Sequence, residues 1–490
     1  MALRPQGAAA AIANKTFTQA IQPAIRFGRI FNLPPFAPAT SQVRTALMDI
    51  GKPGGILDAK DDLSQGPVLL ITDPSLSVNN PDNPTMTAGV HFLGQFIDHD
   101  MTFDLTSKLG VPAVPEQTPD QRTPVLDLDH VYGGGPSGSP RLYDPADPAK
   151  FTVESGGLFE DVPRQSDGTA IIADPRNDEN MMVSGLHAAM LLFHNRVVDT
   201  VRQTTTANVF ATARRLVTWH YQWIVVHEFL PENIGAAVVS DILANGLHFF
   251  KPDGGTYMPV EFSAACYRFG HSQIRPSYRA NLAGDLGNPF FGFIFDPAAE
   301  GQADPSDLRG GARAPRRFIG WQTFFDFGGD QTQNVRRNKL IDTAISTPLF
   351  QLPLSAIATH DQPISLMQRD LLRQLTWSLP SGQLLAAHMG APVLGASHFP
   401  ELQSYGFASS TPLIYYVLRE AQALNNGTHL GPVGGRIVGE VILGLLLADS
   451  GSYLRNNRAW KPTLPSRTPG DFTMVDLLTF AKVDPASRGQ

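Results

Sequence analysis

The chain has 490 residues, 42% hydrophobic and 17% charged, which describes a globular protein with a substantial core and excludes a disordered or fibrous one. A net charge of −7 argues against a nucleic-acid partner, because binding phosphates requires a basic face. One cysteine, Cys266, leaves no intramolecular disulfide, which fits a reducing compartment or a secreted chain that does without such bonds.

At this length either several domains or one large fold is possible. The N-terminal MALRPQGAAAAIANK has only an Ala/Ile apolar run that ends at Asn14–Lys15, so it is read as no secretory signal. The expectation is a soluble protein, cytoplasmic or exported without a recognisable signal peptide. Residues 1–90 carry NLPPFAP and GKPGG, which mark loops between short elements. Residues 1–75 are therefore read as a loop-rich arm packed over a body of residues 76–490. HFLGQFIDHDMTFD, from His91 to Asp104, is predicted as a helix with Gln95, Asp98 and His99 on one face at i, i+3 and i+4. Phe92, Phe96 and Ile97 give it apolar surface to bury.

Residues 105–180 return to loops, with GVPAVPEQTP and GGGPSGSP too heavily punctuated for long helices. From Asn180 helical periodicity dominates, first in NMMVSGLHAAMLLFHNRVVDTVRQ and then in ATARRLVTWHYQWIVVHEFLP. LIYYVLREAQALNNG ends on an Asn–Gly C-cap signal, and GGRIVGEVILGLLLADSG is a helix bounded by glycines. VILGLLLA within it is too short to span a bilayer. There is no βαβ alternation and no internal repeat. The predicted fold is mainly α, one large domain with long loops and little sheet.

Four constellations carry candidate chemistry. Asp98–His99–Asp100 holds a histidine between two carboxylates, which suits a proton shuttle or a metal ligand, although a polar helix end would look the same. In TPVLDLDHVYGG, oxygens from residues 123, 125, 127 and 129 of an extended chain project to one side and, with Asp100, could converge on a hard cation. The loop lacks the Gly and Glu of an EF-hand. DPRNDENMM places Arg176 and Glu179 just before a long helix, where a capping role is the alternative. YRFGHSQIRP sets His271 between Arg268 and Arg275; a lone histidine near apolar residues is more often a core residue than a ligand. His187, His194, His220 and His227 call for the same caution, since no HExxH zinc spacing is present.

In this order and at these separations the four constellations resemble the animal-type haem peroxidases (the peroxidase–cyclooxygenase superfamily), and more closely their bacterial, myeloperoxidase-like members. The resemblance extends through HEFLPENIG, SLPSGQ and GPVGGRIVGEVILGLL, over roughly residues 25 to 485. It implies a large single-domain helical fold holding haem b or an ester-linked haem, and calcium. By position it makes His99 the distal acid–base, Gln95 the distal glutamine and Arg176 the distal arginine. Asp98 and Glu179 become the carboxylates available for ester bonds to haem, and His271 the iron ligand. Arg268 and Arg373 fall near the propionates. Asp370 falls where the family usually places an Asn beside the proximal histidine; a carboxylate there should give the imidazole more imidazolate character. Asp100, Thr123, the Val125 carbonyl, Asp127 and Asp129 would hold the calcium. Asn180 stands where some members have a methionine bonded to a haem vinyl, so no sulfonium link is expected.

The implied activity is reduction of hydrogen peroxide with oxidation of a halide, a pseudohalide or a small aromatic donor. A neutral His99 would move the peroxide proton while Arg176 supplies fixed positive charge. The closest rival is a fatty-acid dioxygenase, which needs a Tyr three residues before the proximal His; that position is Arg268, and Tyr267 lies four before. A non-catalytic calcium-binding protein of the same fold is a second rival, and a non-haem metal hydrolase a third. The oligomeric state is not legible.

Overall fold

The computed structural model describes residues 25–490, apart from 253, 254 and 312. The N-terminal stretch read above as lacking a secretory signal, and the first part of the arm, lie outside the described residues. The rest is mainly helical. Its β-structure consists of two-stranded pairings, five of them among the described residues.

The Ala88–Met101 helix runs through the middle of the molecule. Eleven of its fourteen residues are buried; the three that are not, Gly94, Gln95 and Asp98, form one stripe and all line the same internal cavity. The Met181–Arg202 helix packs across it. That helix starts where Asn180 Oδ1 accepts the backbone N–H of Val183 at 3.0 Å, an N-cap that satisfies one of the helix's orphan donors. The Val209–Ile224 helix packs on this second helix and continues through a π-turn, Val225–Phe229, into Leu230–Ile234.

The Pro432–Ala448 helix buries thirteen of its seventeen residues, so the VILGLLLA run belongs to a helix surrounded by protein. A Cβ at Gly439 would stand 2.7 Å from the Ile234 and Ile242 side chains, so glycine there permits close packing against two neighbouring helices. The buried Glu440 carboxylate accepts the backbone N–H groups of His248, Phe249 and Phe250 at 2.7–2.9 Å. No helix among the described residues is long and apolar enough to cross a membrane.

Two elements differ from the sequence reading. Ser277–Asp285 and Asn288–Phe293 form an antiparallel hairpin, turned by Leu286 (φ 52°) and Gly287 (φ 89°), the left-handed pair that closes a two-residue loop. Its alternation is weak because Tyr278, Ala280 and Asn281 are all buried. The Leu366–Thr376 helix, capped by Ser365 Oγ, carries Asp370 and Arg373 on a stretch whose helical character had not been singled out.

Candidate active site

The cavity beside the Gly94–Gln95–Asp98 stripe extends over about 1520 Å³ with its mouth and is lined by residues of three constellations: Gln95, Asp98, His99, Arg176, Glu179, Arg268 and His271, with Arg373 and Tyr267. Gln95 and Glu179, 84 positions apart in the chain, are joined by a single hydrogen bond, Gln95 Nε2 donating to Glu179 Oε2 at 3.0 Å. Asn180 Nδ2 donates to Gln95 Oε1 at 3.1 Å. That fixes which way the Gln95 amide points, since its oxygen accepts and its nitrogen donates.

His99 is buried, and its Nδ1 meets Asn177 Oδ1 at 2.9 Å. Asn177 Nδ2 faces His187 Nδ1 at 3.0 Å and the His130 carbonyl at 3.4 Å. With the amide nitrogen committed to two acceptors, Asn177 Oδ1 must accept, so His99 carries its proton on Nδ1 and leaves Nε2 as a lone pair. That Nε2 lies 4.0 Å from Glu179 Oε2. Burial, helped by the Arg176 cation, pushes His99 down to about 3, so the imidazole is neutral at ordinary pH. Burial also pushes Glu179 up to about 8 against the pull of Arg176, so its carboxyl is largely protonated near neutrality.

Arg176 is held from three sides. Asp174 takes Nε and Nη2 at 3.1 and 2.8 Å, a two-pronged geometry that fixes the guanidinium plane. Nη1 donates to the Thr102 carbonyl at 2.7 Å and Nη2 to the His99 carbonyl at 3.0 Å, so the cation caps the end of the Ala88–Met101 helix. Its face lies over the Phe103 ring, 4.0 Å from the centroid. Burial disfavours the charge on Arg176, but Asp174 outweighs it and raises the pKa; Asp174, also buried, is held below the usual carboxylate range chiefly by Arg176.

On the other histidine, His271 Nδ1 meets Asp370 Oδ2 at 2.6 Å. Burial works against ionisation of Asp370, yet His271, Arg268 and Arg373 together hold its carboxyl below the usual range. With Nδ1 committed to Asp370, Nε2 is the nitrogen left for the cavity, into which the side chain is 22% exposed. Arg268 Nη1 lies 3.6 Å from Asp370 Oδ1. Burial, and then the like charge of Arg268, push Arg373 down to about 10. Arg268 and Arg373 line this end of the cavity, with Asp370 and Asp104 acting on Arg373, and the two guanidiniums suit an anionic group. Tyr267 stacks on Phe262, centroids 4.6 Å apart, and its hydroxyl donates to the Gly94 carbonyl at 3.1 Å. Arg275 is absent from the cavity; it is buried and bonds the carbonyls of Asn80, Arg337 and Asn338.

The predicted cation loop is only partly assembled. Asp100, Asp129 and His130 each offer a ligand atom within 4.8 Å of the others. Asp100 Oδ2 and Asp129 Oδ1 are buried with no hydrogen-bond partner among the described residues. Burial raises both carboxyls, and at Asp129 the charges of Asp127 and Asp100 add to it, a state that a bound cation would relieve. Asp127 stands outside this group: its Oδ1 accepts the Asp129 N–H at 3.2 Å and its Oδ2 lies 3.6 Å from Arg214. The Thr123 N–H donates to Asp129 Oδ2 at 3.3 Å, and the Val125 N–H donates to the Thr123 carbonyl at 2.7 Å. His130 was not read from the sequence; its Nδ1 meets Asp100 Oδ1 at 2.9 Å.

Asn177 and Asp174 were missed as well. Asp174 precedes a proline at the start of the Pro175–Asp178 turn, a capping signal that was available. No local signal marks Asn177, whose partners are 78 and 10 residues away.

The model of the animal haem peroxidase family matches residues 104–285, a span that includes the cation loop, Arg176–Glu179 and His271 and leaves Gln95–Asp100, Asp370 and Arg373 outside. Heme peroxidase 2 of Caenorhabditis elegans is 24% identical over 196 residues, 35% of this chain and 27% of that protein. Thyroid peroxidase of Homo sapiens is 25% identical over 198 residues, 34% of this chain and 21% of that protein. Over these stretches the chain is similar to the animal haem peroxidases. Among solved structures of similar fold, peroxidase A of Dictyostelium discoideum has a TM-score of 0.57 at 15% identity, covering 92% of this chain and 90% of that one. The fatty acid alpha-dioxygenase of Oryza sativa has a TM-score of 0.54 at 14% identity, covering 80% and 74%. At these identities the solved structures speak for the fold alone. The matched stretches also span only about a quarter of the two curated relatives.

Proposed function

We propose that the chain is a haem peroxidase that reduces hydrogen peroxide and oxidises small halide, pseudohalide or aromatic donors. One observation carries the reading. Two histidines, His99 and His271, line one cavity, and each has its Nδ1 engaged by a buried partner, Asn177 and Asp370, which leaves both Nε2 atoms for the cavity. The donor set fits the group that the superfamily implies. His271 is a nitrogen ligand oriented by Asp370, Asp98 on the Ala88–Met101 helix and Glu179 beside it are carboxylates, and Arg268 and Arg373 match anionic propionates.

Haem bound there supplies the redox chemistry, with His271 Nε2 as its iron ligand and Asp98 and Glu179 available for ester links. The chain's own residues move protons and stabilise charge. His99 Nε2, neutral and unprotonated, takes the proton from one peroxide oxygen and returns it to the other, as base and then acid. Arg176, locked by Asp174 and the helix-end carbonyls, presents fixed positive charge to the departing oxygen without reorganising. Gln95, held between Asn180 and Glu179, shapes the space beside them. The same reading takes residues 76–490 as the catalytic domain with residues 1–75 as an arm over it. It also takes calcium at Asp100 and Asp129, with Thr123, the Val125 carbonyl and Asp127 completing the set once the ion is present.

A second reading, fatty-acid dioxygenase, is favoured by Tyr267, whose ring lines the cavity one residue from the position expected of a radical-carrying tyrosine. Oxygen uptake with an unsaturated fatty acid and no added peroxide would establish it. The peroxidase reading is tested on a denaturing gel stained for haem after peroxide treatment. Colour is expected to stay with the wild-type chain and to be lost in the Asp98→Val, Glu179→Gln double variant. A purified protein with no haem absorbance after expression with ample haem overturns the reading.

A further inference from the structure

Three of the chain's five tryptophans, Trp219, Trp223 and Trp460, lie together on the far side of the Val209–Ile224 helix. Ring centroids are 5.3 Å apart for Trp219 and Trp460, 6.0 Å for Trp223 and Trp460, and 5.5 Å for Tyr453 and Trp460. Trp223 and Tyr453 are buried, whereas Trp219 and Trp460 reach solvent in part. Trp223 stacks on His227 with centroids 3.8 Å apart.

Packing alone accounts for these contacts, and a buried indole N–H needs some acceptor. The acceptors here are specific, however. Trp223 Nε1 donates to the Asp471 carboxylate at 2.8 Å, and the Tyr453 hydroxyl meets His227 Nε2 at 3.2 Å. Each of these two oxidisable rings therefore has a proton acceptor in place. The cluster also connects to the cavity. Trp223 lies on the helix that continues through the π-turn Val225–Phe229, and π-turns of this kind recur at functional sites. Phe229 closes that turn, lines the cavity and packs against Tyr267. Six residues separate Trp223 from Phe229, about 9 Å along a helix axis.

We propose that Trp219, Trp223, Tyr453 and Trp460 form a second oxidation site, at which phenolic donors too large for the cavity give up electrons at the surface. The proposal rests on the haem reading, which supplies the oxidant: peroxide reduced in the cavity. In one step Trp223 loses an electron toward the cavity and its Nε1 proton passes to Asp471. A phenol seated at Trp219 and Trp460 then returns one electron and one proton to Trp223 and leaves as a phenoxyl radical, while Asp471 releases the proton it took to solvent. In each round the cavity gains one electron from the cluster and takes up one proton from solvent, so two rounds supply the two electrons and two protons that turn one hydrogen peroxide into two waters.

The test uses the haem-loaded protein, free phenol, and a phenol grafted onto polyethylene glycol too bulky to enter the cavity. Low-temperature EPR after peroxide is expected to show a tryptophan radical in the wild type that is lost in Trp223→Phe. Trp223→Phe and Trp460→Phe keep an aromatic ring in place. Each is expected to lower turnover of the grafted phenol about tenfold or more while free-phenol turnover stays within about twofold. The absence of any tryptophan radical, unchanged grafted-phenol turnover in both variants, or an equal fall with both donors overturns the second site. A wild-type protein whose haem absorbance is missing or indifferent to peroxide overturns the haem reading, and this site with it.

Discussion

At the scale of single residues, His99 is set by a side chain that does not line the cavity. Asn177 Oδ1 accepts from His99 Nδ1 while its Nδ2 serves His187 and His130, so one amide fixes the His99 tautomer. Asn177→Leu leaves buried ring nitrogens without partners, at a cost of about 1–3 kcal/mol in stability. It also frees the His99 ring to turn, and the peroxide step is expected to slow about tenfold or more, up to the 10²–10⁴-fold that general acid–base catalysis contributes. Asn177→Asp should instead raise the His99 pKa and move the acid limb of the pH–rate profile upward. Rapid-mixing measurements of the peroxide reaction separate these outcomes; a wild-type rate in Asn177→Leu would show that another group orients His99. For His99, Arg176 and Glu179, residue type and spacing left a polar helix end or a cap as the alternative, and the ordered set of four constellations is what singled them out. Asn177 could not be singled out, since an asparagine before a helix is ordinary until its distant partners are known.

At the scale of elements, the Ala88–Met101 helix serves two sites from its last turn: His99 faces the cavity and Asp100 turns to the 122–132 loop. Two buried carboxylate oxygens there, Asp100 Oδ2 and Asp129 Oδ1, lack hydrogen-bond partners among the described residues. A chelator is therefore expected to lower the thermal midpoint of wild-type protein, and added calcium to restore it; a site at about 100 times its Kd adds roughly 2.7 kcal/mol. Asp129→Asn should remove the dependence. If elemental analysis finds no divalent ion and the midpoint ignores both treatments, the loop holds none. The Ala88–Met101, Met181–Arg202 and Val209–Ile224 helices were legible because their apolar residues recur at helical period. The 277–293 hairpin was not, because Asn281 is buried and bonds the carbonyls of Arg316 and Phe318. Tertiary partners of this kind mask alternation.

At the scale of the whole molecule, burial of ionisable groups gives stability two opposing pH slopes. Burial holds His91, His99 and His187 down to about 3, and His194 and His220 down to about 4. The unfolded chain therefore binds protons that the folded one refuses, and stability is lost as pH falls below about 6.5 toward 4. Burial holds Asp120, Glu179 and Glu232 up to about 8, and Glu228 and Glu420 up to about 7. There the folded chain keeps protons that the unfolded one releases, and stability is lost as pH rises from about 4.5 toward 8. The two trends balance between about pH 5 and 6, where the thermal midpoint of the haem-free protein should peak. A midpoint that climbs steadily from about pH 5 to pH 8 would mean that the carboxyls do not hold their protons in the folded state.

What the sequence determined by itself was the class of fold and the inventory of the cavity. Helical period is a local property, and a histidine between two aspartates or an arginine three residues from a glutamate is visible wherever the chain goes. What the tertiary structure decided was which atoms are committed and which are left over. Asp370 lies 99 residues from His271 and Asn177 lies 78 from His99, so the tautomers, and with them the two nitrogens left to the cavity, exist only after the helices pack. The same holds for the tryptophan cluster. Trp219 and Trp460 come from segments 241 residues apart, and only packing of the C-terminal segment onto the Val209–Ile224 helix brings their rings to 5.3 Å.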